Sequence, residues 1–498
     1  MTSSIKKGAI ISYVAIFLNI AITFFYTPWM IKKIGVSDYG LYSLVYSFIS
    51  YFILDFGLHQ AIQRFIAKYR AEGSKDKVEK MLGITTRVYL IIDAVIFIVL
   101  AVFYFFITDV FTGLTAVEVE RLKGLYIIAG LFSVLSFVFK PMAGAMMAYE
   151  YFVEERTLEM INRVGVVFGV CIALYLGADV FALILINGAF ALLTSIIKFI
   201  VFKRKSKLNI QWNYFGKNEL KGIFSFSVWA FGCGLAQRLR LSLVPSLLGV
   251  LSNSSEIAIF AIGMSLEGMV YTLSSAINGL FLPTVSRMVH GNKRDDILNL
   301  MVRVGRIQLF IIGIIFSGFF IFGHSFLNLW VGVDFVNVYW VLLLLILSNL
   351  VSLTQKIAED LVYVENRIKE TAIRIFACSL LGIIVACVFS PRYGAIGAAV
   401  GTAFGLCVYQ FVINLFYKKQ LGINIKLFFL SCHALIIPVL VVVTAIAYYA
   451  STFFVIDSWL KLMVGITAYV LVYGMVCHFL LFNQEEKLLI KNIAHRHD

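Results

Sequence analysis

Apolar runs about twenty residues long recur from one end of this 498-residue chain to the other. That pattern leaves few folds. About twenty helical residues cross a bilayer core, whereas barrel strands are half as long and alternate every second residue, which these runs do not. Composition agrees: 61% of residues are hydrophobic and 14% charged, against about 25% charged for a soluble domain. The pattern argues against a soluble multidomain enzyme. Lys6 and Lys7 precede the first run with no small-residue cleavage site after it, so that run is expected to stay as a span.

The expected fold class is an all-α integral membrane protein. Fourteen spans are expected, roughly 9–31, 39–60, 84–107, 122–147, 158–177, 179–201, 221–251, 256–283, 303–323, 337–363, 370–390, 394–416, 427–450 and 458–482. Twelve is the alternative count if the last two are re-entrant. With the N-terminus in the cytoplasm, about 27 Lys and Arg fall on that side and about 4 outside. Both termini are then cytoplasmic. The net charge of +14 is accordingly a topology device, and no nucleic-acid partner is expected. Lys32 and Lys33 are the exception to the rule.

Residues 28–73 organise the rest. The stretch closes one apolar segment at Pro28, turns at Gly35, re-enters at Tyr39-Gly40, carries Asp55 into the run, and ends in the basic strip Arg64, Lys68, Arg70, Lys75, Lys77, Lys80. A looser echo recurs later. Pro28 and Arg70 are matched by Pro245 and Arg287 at an offset of 217, and Lys140 by Lys356 at 216. Six spans separate the copies, so both halves point the same way and are related by an axis along the membrane normal. This predicts a six-helix bundle over 1–202, a cytoplasmic linker over 203–220, a second six-helix bundle over 221–417, and two extra helices with a tail over 418–498. The two bundles are expected in a pseudo-two-fold arrangement around a central cavity.

The segment DYGLYSLVYSFISYFILDFGL with the following QAIQRFIAKY resembles the opening of bacterial polysaccharide flippases, the Wzx-type O-antigen and exopolysaccharide transporters of the MOP (MATE-like) superfamily. Pro28, Gly35, Tyr39-Gly40 and Leu54-Asp55-Phe56-Gly57-Leu58 carry the likeness, which is strongest over residues 1–90. The resemblance implies a bacterial cytoplasmic-membrane protein that moves an undecaprenyl-diphosphate-linked oligosaccharide between leaflets by alternating access. It also implies a counter-moving H+ or Na+, and a polymerase and glycosyltransferases as partners.

An ionised side chain in hydrocarbon costs at least about 2.5–3.5 kcal/mol on insertion scales, so each one needs a reason. Lys198, Arg163, Arg306 and Arg374 fall within a turn or two of cytoplasmic ends on the expected boundaries, where they can snorkel. Arg238 and Arg240 fall mid-span. Two residues apart on a helix is about 200° of rotation, so at most one faces a cavity. Guanidinium grips phosphate bidentately and stays charged. Arg238 and Arg240, with Lys140 and Lys356 nearer the cytoplasm, are therefore the candidate cationic path for a diphosphate or acidic glycan. The competing reading pairs Arg238 with Glu267 as a structural tie and the lysines with Glu150 or Glu359. Asp55, Asp93 and Glu267 are the candidate ion-coupling acids; for Asp55 a helix-end tie to Arg64 or His59 is the favoured reading.

The seven cysteines are scattered singly with no CxxC, and the histidines show no HExxH. Neither a metal site nor a cofactor is expected. Short loops and the lack of a DxD-like site argue against a glycosyltransferase or polymerase. A MATE-type drug exporter needs an acidic or aromatic cavity, against which the mid-span arginines argue. A lipid II flippase is an alternative that the sequence does not exclude.

Overall fold

The fold is that of a computed structural model, which describes residues 3–52, 58–211, 214, 216, 220–221, 242–278, 281–291, 294–365, 367–484 and 486–487. Every regular element among them is helical. The chain divides into two compact units: unit 1 is 1–261 with 375–398, and unit 2 is 262–374 with 399–498.

Unit 1 begins with α1 (Ser3–Ile34), whose last turn holds Lys32 and Lys33. Cations there complement the partial negative charge of the final carbonyls, which gives the two misplaced lysines a local role. Next come α2 (Val36–Phe52), α3 (Leu58–Ala71), α4 (Lys75–Val110), α5 (Ala116–Phe137), α6 (Lys140–Ala148), α7 (Phe152–Tyr175) and α8 (Val180–Ser206). After the linker come α9 (Leu243–Leu251) and the start of α10 (Ser254–Asn278). α1 packs on α7, α2 on α5, and α8 on both α5 and α7. In the basic strip, the Lys77 ammonium donates to Glu72 at 2.9 Å, and that hydrogen bond holds the Glu72 carboxyl below the usual carboxylate range.

Unit 2 takes the rest of α10, then α11 (Leu282–His290), α12 (Arg294–Trp330), a 3-10 turn (Val333–Phe335), α13 (Asn337–Thr354) and α14 (Lys356–Val364). α15 (Ile368–Gln420) runs through both units with a kink at Gly394. It joins the two spans expected over 370–390 and 394–416. α16 (Ile425–Cys432), α17 (Ile436–Ser451) and α18 (Trp459–Val476) complete the chain. α12 is the central post, packed against α13, α16, α17 and α18. Among the described residues ten helices are long and apolar enough to cross a membrane, against the fourteen spans expected. α2, at 17 residues, and the fused α15 account for part of the difference.

The internal repeat is visible in the helices. α5 ends at Phe137 and α13 at Thr354, 217 positions on. Each is followed by a nine-residue helix that begins at a lysine, Lys140 in α6 and Lys356 in α14. α3 packs on α6 as α11 packs on α14, and α4 on α5 as α12 on α13. Gly177 and Gly394 are repeat mates and both have positive φ, +86° and +51°, a backbone that L side chains resist. The loop after α7 and the kink of α15 are therefore the same turn. Ser37 and Ser254 are mates as well, and their hydroxyls lie 3.0 Å apart.

The end of unit 2 is locked by charge. Arg306 Nε donates to Glu486 at 2.6 Å, and the same guanidinium donates to the Leu481 and Ser431 carbonyls at 2.7 and 3.2 Å. Both side chains are buried. Asn483 and Glu486 also cap each other, at 2.9 and 2.8 Å. Arg306 was expected to snorkel; it is instead a tie between α12 and the segment after α18. Losing one partner of such a pair strands a buried charge, at about 3–5 kcal/mol. Glu486→Gln is thus expected to lower the thermal unfolding temperature of the detergent-solubilised protein sharply, and Glu486→Gln with Arg306→Met to recover most of that loss.

Candidate functional site

A cavity of about 900 Å³ opens inside unit 1 between α1, α2, α7 and α8. Spans that face only lipid carry apolar side chains, but these four turn polar groups inward. Asn19 and Thr23 come from α1, Asn162 and Arg163 from α7, Asn187 and Ser195 from α8. Tyr26, Tyr39 and Tyr42 form the wall toward α2, and the Tyr39 and Tyr42 rings stack with centroids 6.2 Å apart. Asn162 Oδ1 is buried without a hydrogen-bond partner among the described residues. Asn19 and Asn187 are engaged in their own helices: Asn19 O accepts from Thr23 at 2.8 Å, and Asn187 Nδ2 donates to Leu183 O at 2.8 Å.

The charges of this cavity fall in two places. At one end Lys198 donates to the buried Glu155 at 2.7 Å and lies 3.9 Å from Glu159. Glu159 takes Arg156 at 2.8 Å. These carboxylates are therefore already neutralised. Arg163 stands apart. It forms no ion pair among the described residues. The sequence reading placed it near a helix end because it started that span at 158. The helix starts at Phe152, so Arg163 is three turns inside, about 16 Å from one end and about 18 Å from the other at 1.5 Å per residue. Charge within a membrane-spanning helix, with a polar cavity beside it, is a functional signature. The amphipathic opening FVEERTLE, which reads as loop on hydropathy, hid the true start of the helix.

The predicted site residues are dispersed. Lys140 lies over the Phe137 ring at 5.0 Å. Lys356 lies over the Tyr271 ring at 5.2 Å, donates to its hydroxyl at 3.2 Å, and pairs with Glu359. Each sits where a long helix breaks and a short one begins. Asp93 is buried midway along α4, and its Oδ1 has no hydrogen-bond partner among the described residues. Glu267 accepts from Asn349 Nδ2 at 2.8 Å, which ties α10 to α13 within unit 2. Arg238, Arg240 and Asp55 lie outside the described residues. Among the described residues no cluster of metal-ligating side chains occurs.

Residues 5–289 match the family described as polysaccharide biosynthesis protein. The chain belongs to that polysaccharide biosynthesis family. No curated protein matches it by sequence. Among solved structures it is similar to the lipid II flippase MurJ in an inward closed conformation, at 15% identity, with 94% of this chain and 97% of that one covered and a TM-score of 0.72. It is also similar to an inward-facing multidrug-resistance MATE transporter of the MOP superfamily, at 13% identity, 82% and 98% coverage and a TM-score of 0.68. A eukaryotic MATE transporter aligns at 15% identity, 82% and 97% coverage and a TM-score of 0.55. This member of the polysaccharide biosynthesis family thus has the multi-pass helical fold of MurJ and MATE transporters.

A buried carboxylate with an unpartnered oxygen costs stability, a cost that proteins keep where function needs the group. Asp93→Asn is expected to raise the thermal unfolding temperature while slowing transport. An equally stable variant with normal transport would remove Asp93 from the site.

Proposed function

We propose that this chain is a flippase for a lipid-linked oligosaccharide. It would carry an undecaprenyl-diphosphate-linked repeat unit from the inner to the outer leaflet of a bacterial cytoplasmic membrane, by alternating access coupled to an ion, in the making of a cell-surface polysaccharide. Membership of a polysaccharide biosynthesis family on a transporter fold supports the class. The single observation that carries the choice of cargo is Arg163, a guanidinium midway along α7 beside a polar cavity, with no carboxylate paired to it among the described residues.

The physical reason is the barrier. A diphosphate cannot shed its water into hydrocarbon without a large desolvation cost. A fixed guanidinium replaces that water with two directed N–H donors and a full charge. Asn162 and the tyrosine wall supply amide and aromatic surface of the kind sugar rings use. Arg238 and Arg240 would extend the cationic path, with Lys140 and Lys356 nearer the cytoplasm. Asp55, Asp93 and Glu267 remain the acids proposed for ion coupling. A polymerase and glycosyltransferases would act before and after this step, and both termini would face the cytoplasm.

Drug export as in the MATE relatives is the second reading. It needs a free acid to hold a cation, and the carboxylate that lines the cavity, Glu159, is held by Arg156 and lies near Lys198. Transport of lipid II would present the same lipid diphosphate and differ in the group that it carries.

The test is restoration of surface polysaccharide in a host lacking its own flippase. Wild type is expected to restore it and Arg163→Gln to fall more than tenfold. Since Arg163 carries no ion pair among the described residues, the same variant should unfold within about 0.5 kcal/mol of wild type. Full restoration by Arg163→Gln, at equal expression, would end the assignment.

A further inference from the structure

At the end of unit 1 where α1 turns into α2, one carboxylate gathers three helix starts. Glu118 is the third residue of α5. Its Oε2 accepts from the Thr115 backbone N–H and from the Thr115 hydroxyl, both at 2.9 Å, and Thr115 caps α5 in return. That is a complete capping box and needs only one of the two oxygens. The other, Oε1, accepts the Ser37 hydroxyl at 2.7 Å and also the Ser254 hydroxyl. A carboxylate offers about four acceptor sites, and here all are filled.

The backbone is built for this approach. Gly40 lies so close to Ser254 that an added Cβ would come within 2.8 Å of the Ser254 carbonyl carbon. The Thr112 hydroxyl donates to the Val250 carbonyl at 3.1 Å. An added Cβ on Gly249 would meet the Phe111 ring at 2.9 Å and Leu44 at 3.2 Å. One turn into α10, Glu256 accepts the Ala395 N–H at 2.7 Å beside the kinked Gly394. Asp38, adjacent to Ser37, is taken by Arg121 at 2.9 Å, which also lies 4.0 Å from Asp179. Asp38 therefore does not compete for the serines.

Two serines that are mates in the repeat meet on one acid. We propose that Glu118 is a releasable clasp. It holds the start of α10 on the starts of α2 and α5 when this end of the protein is shut, and transport requires both serine hydroxyls to leave it. The hold on Glu118 suits release, since it is made by two short serine side chains at helix starts. When the serines depart, the capping box still satisfies Oε2, and Oε1 and the hydroxyls are left to water. Two hydroxyl bonds to a charged acceptor bias a shut end over an open one by about a hundred- to ten-thousandfold. On the topology argued from Lys and Arg placement, this end faces away from the cytoplasm. The clasp would then bar the exit side, whatever the cargo.

The test uses the full chain in membranes. Ser37→Cys with Ser254→Cys places two thiols where the hydroxyls are 3.0 Å apart. Oxidation is expected to link them and stop export of surface polysaccharide, and reduction to restore it. Each single-cysteine variant under the same oxidation controls for the native cysteines. Separately, Glu118→Gln keeps the capping box and weakens the hold on the serines. It is expected to speed labelling of Ser254→Cys by a membrane-impermeant maleimide about tenfold. Export at the reduced rate while the disulfide is fully formed would overturn the proposal, as would unchanged labelling. If wild type restores no polysaccharide, the glycan reading fails, while the labelling comparison still decides the clasp.

Discussion

Hydrocarbon offers an ionised side chain no partner, so every charge inside a span must be neutralised by protein or turned toward water. The arrangement of this chain follows from how each charge meets that demand. Arg306 is closed off by Glu486 and two carbonyls. Lys198 is closed off by Glu155. Lys356 is shared between Glu359 and the face and hydroxyl of Tyr271. All three tie elements together. Arg163 meets the demand the other way. It opens on a polar cavity, and a charge satisfied by solvent can exchange that solvent for a cargo.

Much of the architecture was legible in order and period alone. The offset of 217 read from Pro28, Arg70 and their echoes reappears in the ends of α5 and α13 and in the turns at Gly177 and Gly394, and the nine-residue helices that begin at Lys140 and Lys356 are 216 apart. Periodic apolar runs find helices because burial and hydrogen-bond closure in a bilayer both demand them. Helix boundaries were less legible. Polar first turns such as FVEERTLE continue a helix into water, where hydropathy no longer marks it. That difference of six residues moves Arg163 from near the expected helix end to the middle of α7. The partners of a charge are legible least of all. Glu267 meets Asn349, 82 residues away, and nothing local to either residue announces the pairing.

The repeat also separates frame from function. What both copies keep is geometry: a lysine at each helix break, a positive-φ glycine at each turn, a serine at the start of α2 and of α10. What one copy has alone is chemistry. The position 217 beyond Arg163 is Leu380, an exposed apolar residue. The position 217 beyond Glu118 is Phe335, which is buried. The repeat mates of both charges are therefore apolar. A duplicated fold begins with equal halves, and a transporter needs them unequal, because cargo and exit each require particular groups in particular places. Arg163 and Glu118 are charged departures from that equality, one beside a cavity and one where the repeat mates touch.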